Sequence, residues 1–137
     1  MDRNSVKERI KAHEGLRYTP YEDTLGFLTV GYGRNMDAVP FSQDEVDLMF
    51  ENDFKRAVSG AETFIVYPTL NDVRKSVLIE MIFQMGTTKV GMFKKFLKAA
   101  IEKDWSTAKK EMLDSKWARQ TPTRANELAD LFKRGYE

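Results

Sequence analysis

Three side chains with chemistry to offer follow one another closely: Glu14, then Asp23, then Thr29. Between them lies a run rich in glycine and aromatics, from Gly15 through Tyr18, Tyr21, Gly26, Phe27, Gly31 and Tyr32 to Gly33. Two carboxylates on different structural elements can be given different environments, and hence different protonation states at one pH. Hydrolysis of a glycosidic bond needs that division: one protonated acid for the departing sugar, and one ionised partner as base or nucleophile. The spacing alone carries little weight. Asp and Glu make up 21 of the 137 residues, so a pair nine apart is common, and most carboxylates are solvated surface groups.

The surrounding elements must set these groups in place. Val6 and Ile10 sit four apart among charged residues and predict a first helix over about 3–14, which Gly15 stops by tolerating positive φ. Tyr18, Tyr21, Phe27, Val30 and Tyr32 favour strands, and Pro20, Gly26, Gly31 and Gly33 punctuate them, so two or three short antiparallel strands are expected within 15–41. Ser42 with Glu45 forms a capping box. The helix that follows, over about 42–62, carries Val46, Met49, Phe50, Phe54, Ala57 and Val58 at helical spacing and is long enough to bridge two lobes. Pro68 breaks the chain. Asn71 caps a helix ending at Gly86, apolar over most of its circumference and expected at the centre of the bundle. Further helices are predicted near Met92–Glu102, from Asp104 to about Ser115, and from Thr121-Pro122, a cap with proline at the first helical position, to Gly135.

The layout is α+β and mainly α-helical. A small sheet lobe at 15–41 is joined by the 42–62 helix to a helical lobe at 69–137, which the 3–14 helix joins. A cleft between the lobes, with Glu14 at its floor, is expected. Local structure alone would also explain all three, with Glu14 an ordinary helix-end carboxylate, Asp23 a turn former and Thr29 a strand former.

Composition narrows the chemistry. With no cysteine and one histidine, His13, disulfides, thiol catalysis and cysteine zinc sites are excluded, and a metal-free acid/base enzyme without a cofactor fits the residue supply. Net charge is +1 but uneven: residues 94–137 hold 11 Lys/Arg against 7 Asp/Glu, whereas residues 1–93 hold 11 against 14. Ordinary helix surfaces explain this, and so does attraction to an anionic polymer, either bacterial wall or nucleic acid. No apolar run approaches a membrane span, and the charged N-terminus lacks the apolar core of a signal peptide.

The segment from Glu14-Gly15-Leu16-Arg17 through Tyr21-Glu22-Asp23-Thr24 to Gly26-Phe27-Leu28-Thr29-Val30-Gly31-Tyr32-Gly33 resembles the catalytic segment of the phage-type lysozymes, the endolysins of the T-even phages and their relatives. Phe83-Gln84-Met85-Gly86 and the Trp117, Gln120, Thr121, Pro122, Arg124, Ala125 set extend the resemblance over nearly the whole chain, from about Val6 to Phe132.

The resemblance implies a lysozyme-like two-lobed fold and a muramidase that cuts the β-1,4 bond between N-acetylmuramic acid and N-acetylglucosamine in peptidoglycan. Glu14 is then the general acid, and Asp23 with Thr29 holds the attacking water, which implies inversion. A helix C-terminus and apolar burial would raise the pKa of Glu14. Arg124, which the resemblance puts beside it, would lower it. Phe83 and Gln84 would line the cleft. Trp117 is as well explained by core packing, Met81 and Met85 better so. Asn35 is a weaker saccharide-contact candidate, because its type differs from the family's.

The chain departs from the pattern in three places. Arg34 stands where the family has histidine. Only Asn35 to Phe41 separate it from the long helix, a shorter stretch than in the T-even members. Phe96 and Met112 fall where the family tends to have polar cleft residues. A lytic transglycosylase is the nearest rival, although it would leave Asp23 and Thr29 idle. A wall- or nucleic-acid-binding module without turnover is a more distant one, and a relative that has lost activity another. The expected partner is peptidoglycan, with no nucleic acid and no stable membrane insertion, and the chain is expected to be monomeric. It should be made in the host cytoplasm and reach the wall by a separate release route.

Overall fold

The computed structural model describes all 137 residues, in the order α1 (Arg3–Glu14), β1 (Arg17–Glu22), β2 (Leu28–Gly31), β3 (Arg34–Asn35), α2 (Gln43–Glu62), a 3₁₀ turn (Tyr67–Thr69), α3 (Asp72–Met85), α4 (Thr87–Gly91), α5 (Lys94–Ile101), α6 (Trp105–Leu113), α7 (Lys116–Gln120) and α8 (Pro122–Arg134). Eight helices and one small antiparallel sheet give the α+β, mainly helical, lysozyme-like class expected. Two compact units can be told apart, Met1–Asp47 and Leu48–Glu137. The first turn of α2 belongs to the former and the rest of that helix to the latter. Helix α1 groups with the sheet, whereas the sequence reading attached it to the helical lobe.

In the first unit, Asp2 caps α1 by accepting the N–H groups of Asn4 (3.0 Å) and Ser5 (3.4 Å). Gly15, at φ 74°, ends it, and its N–H returns to the Lys11 carbonyl. The three strands follow in the order β1-β2-β3. Arg17 pairs with Gly31, Tyr21 with Thr29 and Glu22 with Leu28. The register slips between Arg17 and Tyr21, where Pro20 can supply no ladder hydrogen bond; as an edge strand, β1 tolerates this. Thr29 faces Asn35, and Val30 faces Arg34, across the β2–β3 hairpin. The only buried residue of this unit is Thr29.

The capping box forms as the sequence predicts. Ser42 donates its N–H and its hydroxyl to Glu45 Oε1, both at 2.8 Å. Arg34, in the position where the resemblance leads one to expect histidine, is ion-paired with the same Glu45 and donates to the Pro40 carbonyl at 2.6 Å. Together these interactions hold the Glu45 carboxyl at about 2, well below the ordinary glutamate range; the Ser42 N–H is the largest cause, followed by the Arg34 hydrogen bond.

The hydrophobic core lies in the second unit. Val77, Leu78 and Met81 of α3, Val90 of α4, Phe96 of α5, Met112 of α6 and Phe132 of α8 are all but completely buried. Phe132 is the hub, with ring centroids 5.0 Å from Phe96 and 5.7 Å from Trp105. Its neighbour across the bundle is Arg74, whose guanidinium lies 3.7 Å from the Trp105 ring centroid and donates to the carbonyls of Phe132 (2.7 Å) and Lys133 (2.9 Å). That arginine thus satisfies carbonyls that the end of α8 would leave open. Asn71 caps α3 as expected, through the Arg74 N–H at 2.9 Å, and Gly86 ends that helix. Helices α4 and α7, five residues each, carry too little periodicity to be read in advance; α5 is shorter than predicted because Met92 closes α4, Phe93 is the N-cap of α5 and Glu102 its C-cap. No helix is long and apolar enough to cross a membrane.

Candidate active site

The first unit carries Glu14, Asp23, Thr29 and Asn35. Glu14 is the last residue of α1, and none of that helix's residues is buried within the first unit. Its carboxyl group lies against Gly33 in the β2–β3 turn. A Cβ at Gly33 would come within 2.8 Å of the Glu14 carboxyl carbon, and φ there is +77°, so this glycine serves both the turn and the close approach. Lys11, one turn before Glu14, places its ammonium 5.4 Å from the Tyr32 ring centroid, a second tie between the end of α1 and the same turn.

Asp23 opens the loop between β1 and β2. One carboxylate oxygen, Oδ1, accepts the N–H groups of Leu25 and Phe27, both at 2.9 Å. The Asp23 N–H donates to the Phe27 carbonyl at 2.9 Å, and Gly26 closes the loop with an N–H to the Asp23 carbonyl at 3.0 Å. Thr29, 3 % exposed, donates its hydroxyl to that same Phe27 carbonyl at 2.8 Å. Phe27 thus fixes both side chains, its N–H holding the carboxylate and its carbonyl holding the hydroxyl. Oδ2 of Asp23 and the lone pairs of Thr29 Oγ1 are left to accept protons from a further group. On the neighbouring strand, Asn35 uses Oδ1 to accept the N–H groups of Asp37 (2.9 Å) and Ala38 (3.0 Å), which makes it a turn former in this structure.

The second unit carries the remaining candidates. Phe83 is 40 % exposed on α3, with its ring centroid 5.6 Å from that of Phe50 on α2. Both line an open groove of about 410 Å³ with Phe54, Ile79, Glu80 and Arg124. The Arg124 Nε donates to Glu80 Oε2 at 2.8 Å, so its partner within this unit is a glutamate that sequence reading did not single out. Gln84 accepts the Trp117 indole N–H at 2.8 Å. Trp117 is 6 % exposed and meets Phe93 edge-on, which supports the core-packing reading for it. Met81 is buried and Met85 packs against the core, as expected. Phe96 and Met112, weighed as departures in a saccharide cleft, are core residues instead. The residue before Met112, Glu111, borders a groove with Met92, Phe93, Lys94, Asp114 and Ser115 that the sequence did not reveal. No group of three His, Cys, Asp or Glu is arranged to hold a metal ion.

The family model described as "Phage lysozyme" matches residues 11–136, which takes in every candidate of both units. Two proteins of Dictyostelium discoideum, described as probable T4-type lysozymes 1 and 2, are 30 % and 32 % identical; each alignment covers 96 % of this chain and 95 % of the relative. The alignments run over 162 positions, more than the length of the chain, so these relatives carry residues that it lacks. The pre-baseplate central spike protein Gp5 of Enterobacteria phage T4 is 28 % identical over 96 % of this chain, which spans 28 % of that larger protein.

Proposed function

Because the chain belongs to the phage lysozyme family and is therefore a peptidoglycan hydrolase of the glycosidase type, we propose that it cleaves the β-1,4 bond between N-acetylmuramic acid and N-acetylglucosamine by general-acid catalysis with an activated water. The observation that carries this reading is the shared anchoring of Asp23 and Thr29 on the backbone of Phe27. A carboxylate with a free oxygen and a hydroxyl already committed as donor form a pair of acceptors for one water. Such a pair can orient the water and take its proton as it attacks the anomeric carbon. Glu14, on a separate element, protonates the leaving sugar oxygen. Loss of that proton donor should cost roughly 10³-fold in rate or more.

A water-mediated attack inverts the anomeric centre and requires the two carboxyl groups to stand roughly 6.5–9.5 Å apart. A transglycosylase would use an internal sugar hydroxyl in place of water and would need neither Asp23 nor Thr29. Phe83 and Arg124, lining the 410 Å³ groove, are the proposed saccharide contacts of the second unit; Gln84 and Trp117, hydrogen-bonded to each other, line a separate groove of about 490 Å³.

The test is clearing of outer-membrane-permeabilised Gram-negative cells by the protein and by Glu14→Gln, with analysis of the released sugars. Wild-type clearing with new reducing ends, lost in the variant, supports the muramidase reading. Release of 1,6-anhydro sugars would replace it with transglycosylation. A folded Glu14→Gln protein as active as wild type would remove Glu14 as the acid.

A further inference from the structure

The first unit buries one residue, Thr29, and so lacks the packed apolar core that fixes side chains in the second. The order of its turns must come from polar and ring contacts instead. Several of these converge on Arg34, the first residue of β3. Arg34 follows directly on Gly33, against which the Glu14 carboxyl lies, and it pairs with Val30, the residue after Thr29.

The Arg34 side chain is 25 % exposed and reaches across the segment that leads into α2. Its guanidinium carbon stands 4.9 Å from the Phe41 ring centroid. Nη2 donates to the Pro40 carbonyl at 2.6 Å, and Nη1 donates to Glu45 Oε2 in the first turn of α2. Glu45 is held from its other side, because Oε1 accepts the Ser42 N–H and hydroxyl. One rigid, planar group thus grips a carbonyl, a ring and a fixed carboxylate together. A lysine at this position would keep the charge but lose the plane and the two-armed geometry.

The turn that benefits is the one carrying the acid's seat. Tyr32 and Gly33 lie between β2, which bears Thr29, and the Arg34 anchor. Glu14 meets that turn at Gly33, and Lys11 meets it at Tyr32. A drift of the turn would move the Glu14 carboxyl relative to the water-holding pair. We propose that Arg34 is a positioning residue for the hydrolysis: through its grip on Pro40, Phe41 and Glu45 it fixes the β2–β3 turn, and with it the Glu14 carboxyl relative to Asp23 and Thr29. It acts through Gly33 and takes no part in bond-making. The assignment rests on the hydrolytic reading and adds to it a residue that the proposed chemistry does not itself use.

The experiment is steady-state hydrolysis of soluble peptidoglycan fragments, read as reducing ends, each protein being measured well below its unfolding transition. Arg34→Lys should lower kcat roughly 10-fold at unchanged KM, short of the roughly 10²-fold cost of a 1 Å displacement. Glu45→Gln keeps the capping box, in which glutamine also serves, but removes the charge that Arg34 pairs with. It should lower kcat to a similar extent. The double variant should lose no more than either single one, because both substitutions break the same contact. A purely structural part for Arg34 predicts wild-type kcat with a lowered urea midpoint, and that result would overturn the assignment. A raised KM at unchanged kcat would overturn it too, by putting Arg34 on the saccharide, as would losses that multiply in the double variant. A wild type that releases no reducing ends would overturn the hydrolytic reading and this assignment with it. A wild type that releases them, with Arg34→Lys equally fast, would overturn the positioning role alone.

Discussion

Gly33→Ala offers a sharp test of the local geometry around the proposed acid, because Gly31 supplies a matched control. Both glycines have positive φ, +68° at Gly31 and +77° at Gly33, and alanine at either should cost about 1–2 kcal/mol in backbone strain. The loss of unfolded-chain entropy returns a fraction of that. The surroundings differ. A Cβ at Gly31 meets nothing within 4 Å, whereas at Gly33 it would stand 2.8 Å from the carboxyl carbon of Glu14. Ordinary carbon contacts lie at about 3.5–4.0 Å, so the carboxyl must retreat by roughly 1 Å. The side chain is exposed and flexible, so this retreat adds little to the stability loss. Displacing a catalytic group by 1 Å costs about 10²-fold in rate. The two variants should therefore unfold at similar urea concentrations, while cell-clearing activity falls about 100-fold further in Gly33→Ala than in Gly31→Ala. Equal activities, measured below both unfolding transitions, would refute the idea that catalysis depends on Glu14 resting against Gly33.

Further outcomes follow from other contacts. Asp23→Asn keeps an oxygen for the Leu25 and Phe27 N–H groups but removes the base, so activity should fall by 10² or more with the melting temperature nearly unchanged; a large melting shift would show the charge to be structural. Phe96→Ser, which restores a polar residue as in the family pattern, should cost at least the 3–5 kcal/mol typical of emptying a buried phenylalanine site, as read by chemical denaturation. Arg74→Met removes two hydrogen bonds to the end of α8 and the Trp105 stacking, an expected loss of about 2–4 kcal/mol. Because the folded-state pKa of Glu45 is depressed from 4.5 to about 2, its contribution is present above pH 4.5 and is lost as pH falls toward 2. Glu45→Gln should flatten the stability profile over that window; an unaltered slope would show that Glu45 does not govern it.

Whatever depends on near neighbours could be read from the order of residues. Helix ends were legible because capping is a matter of three or four residues: Ser42 with Glu45, Asn71 with the Arg74 N–H, Pro122 at the start of α8 and Gly135 just after it. The sheet was legible from its aromatic residues and glycine punctuation, and the family from a compact motif around Glu14, Asp23 and Thr29 that lies within the matched residues. The structure decided whatever joins distant residues. Trp117 bonds to Gln84, 33 positions away, and Arg124 to Glu80, 44 positions away. Neither pairing has any periodic or local signature. The same holds for Phe96 and Met112, whose burial depends on how α5, α6 and α8 pack, and for Gly33, whose role as the seat of Glu14 needs the turn and the helix end brought together. Local sequence sets dihedral preferences and caps; only the folded chain sets which side chain fills which space.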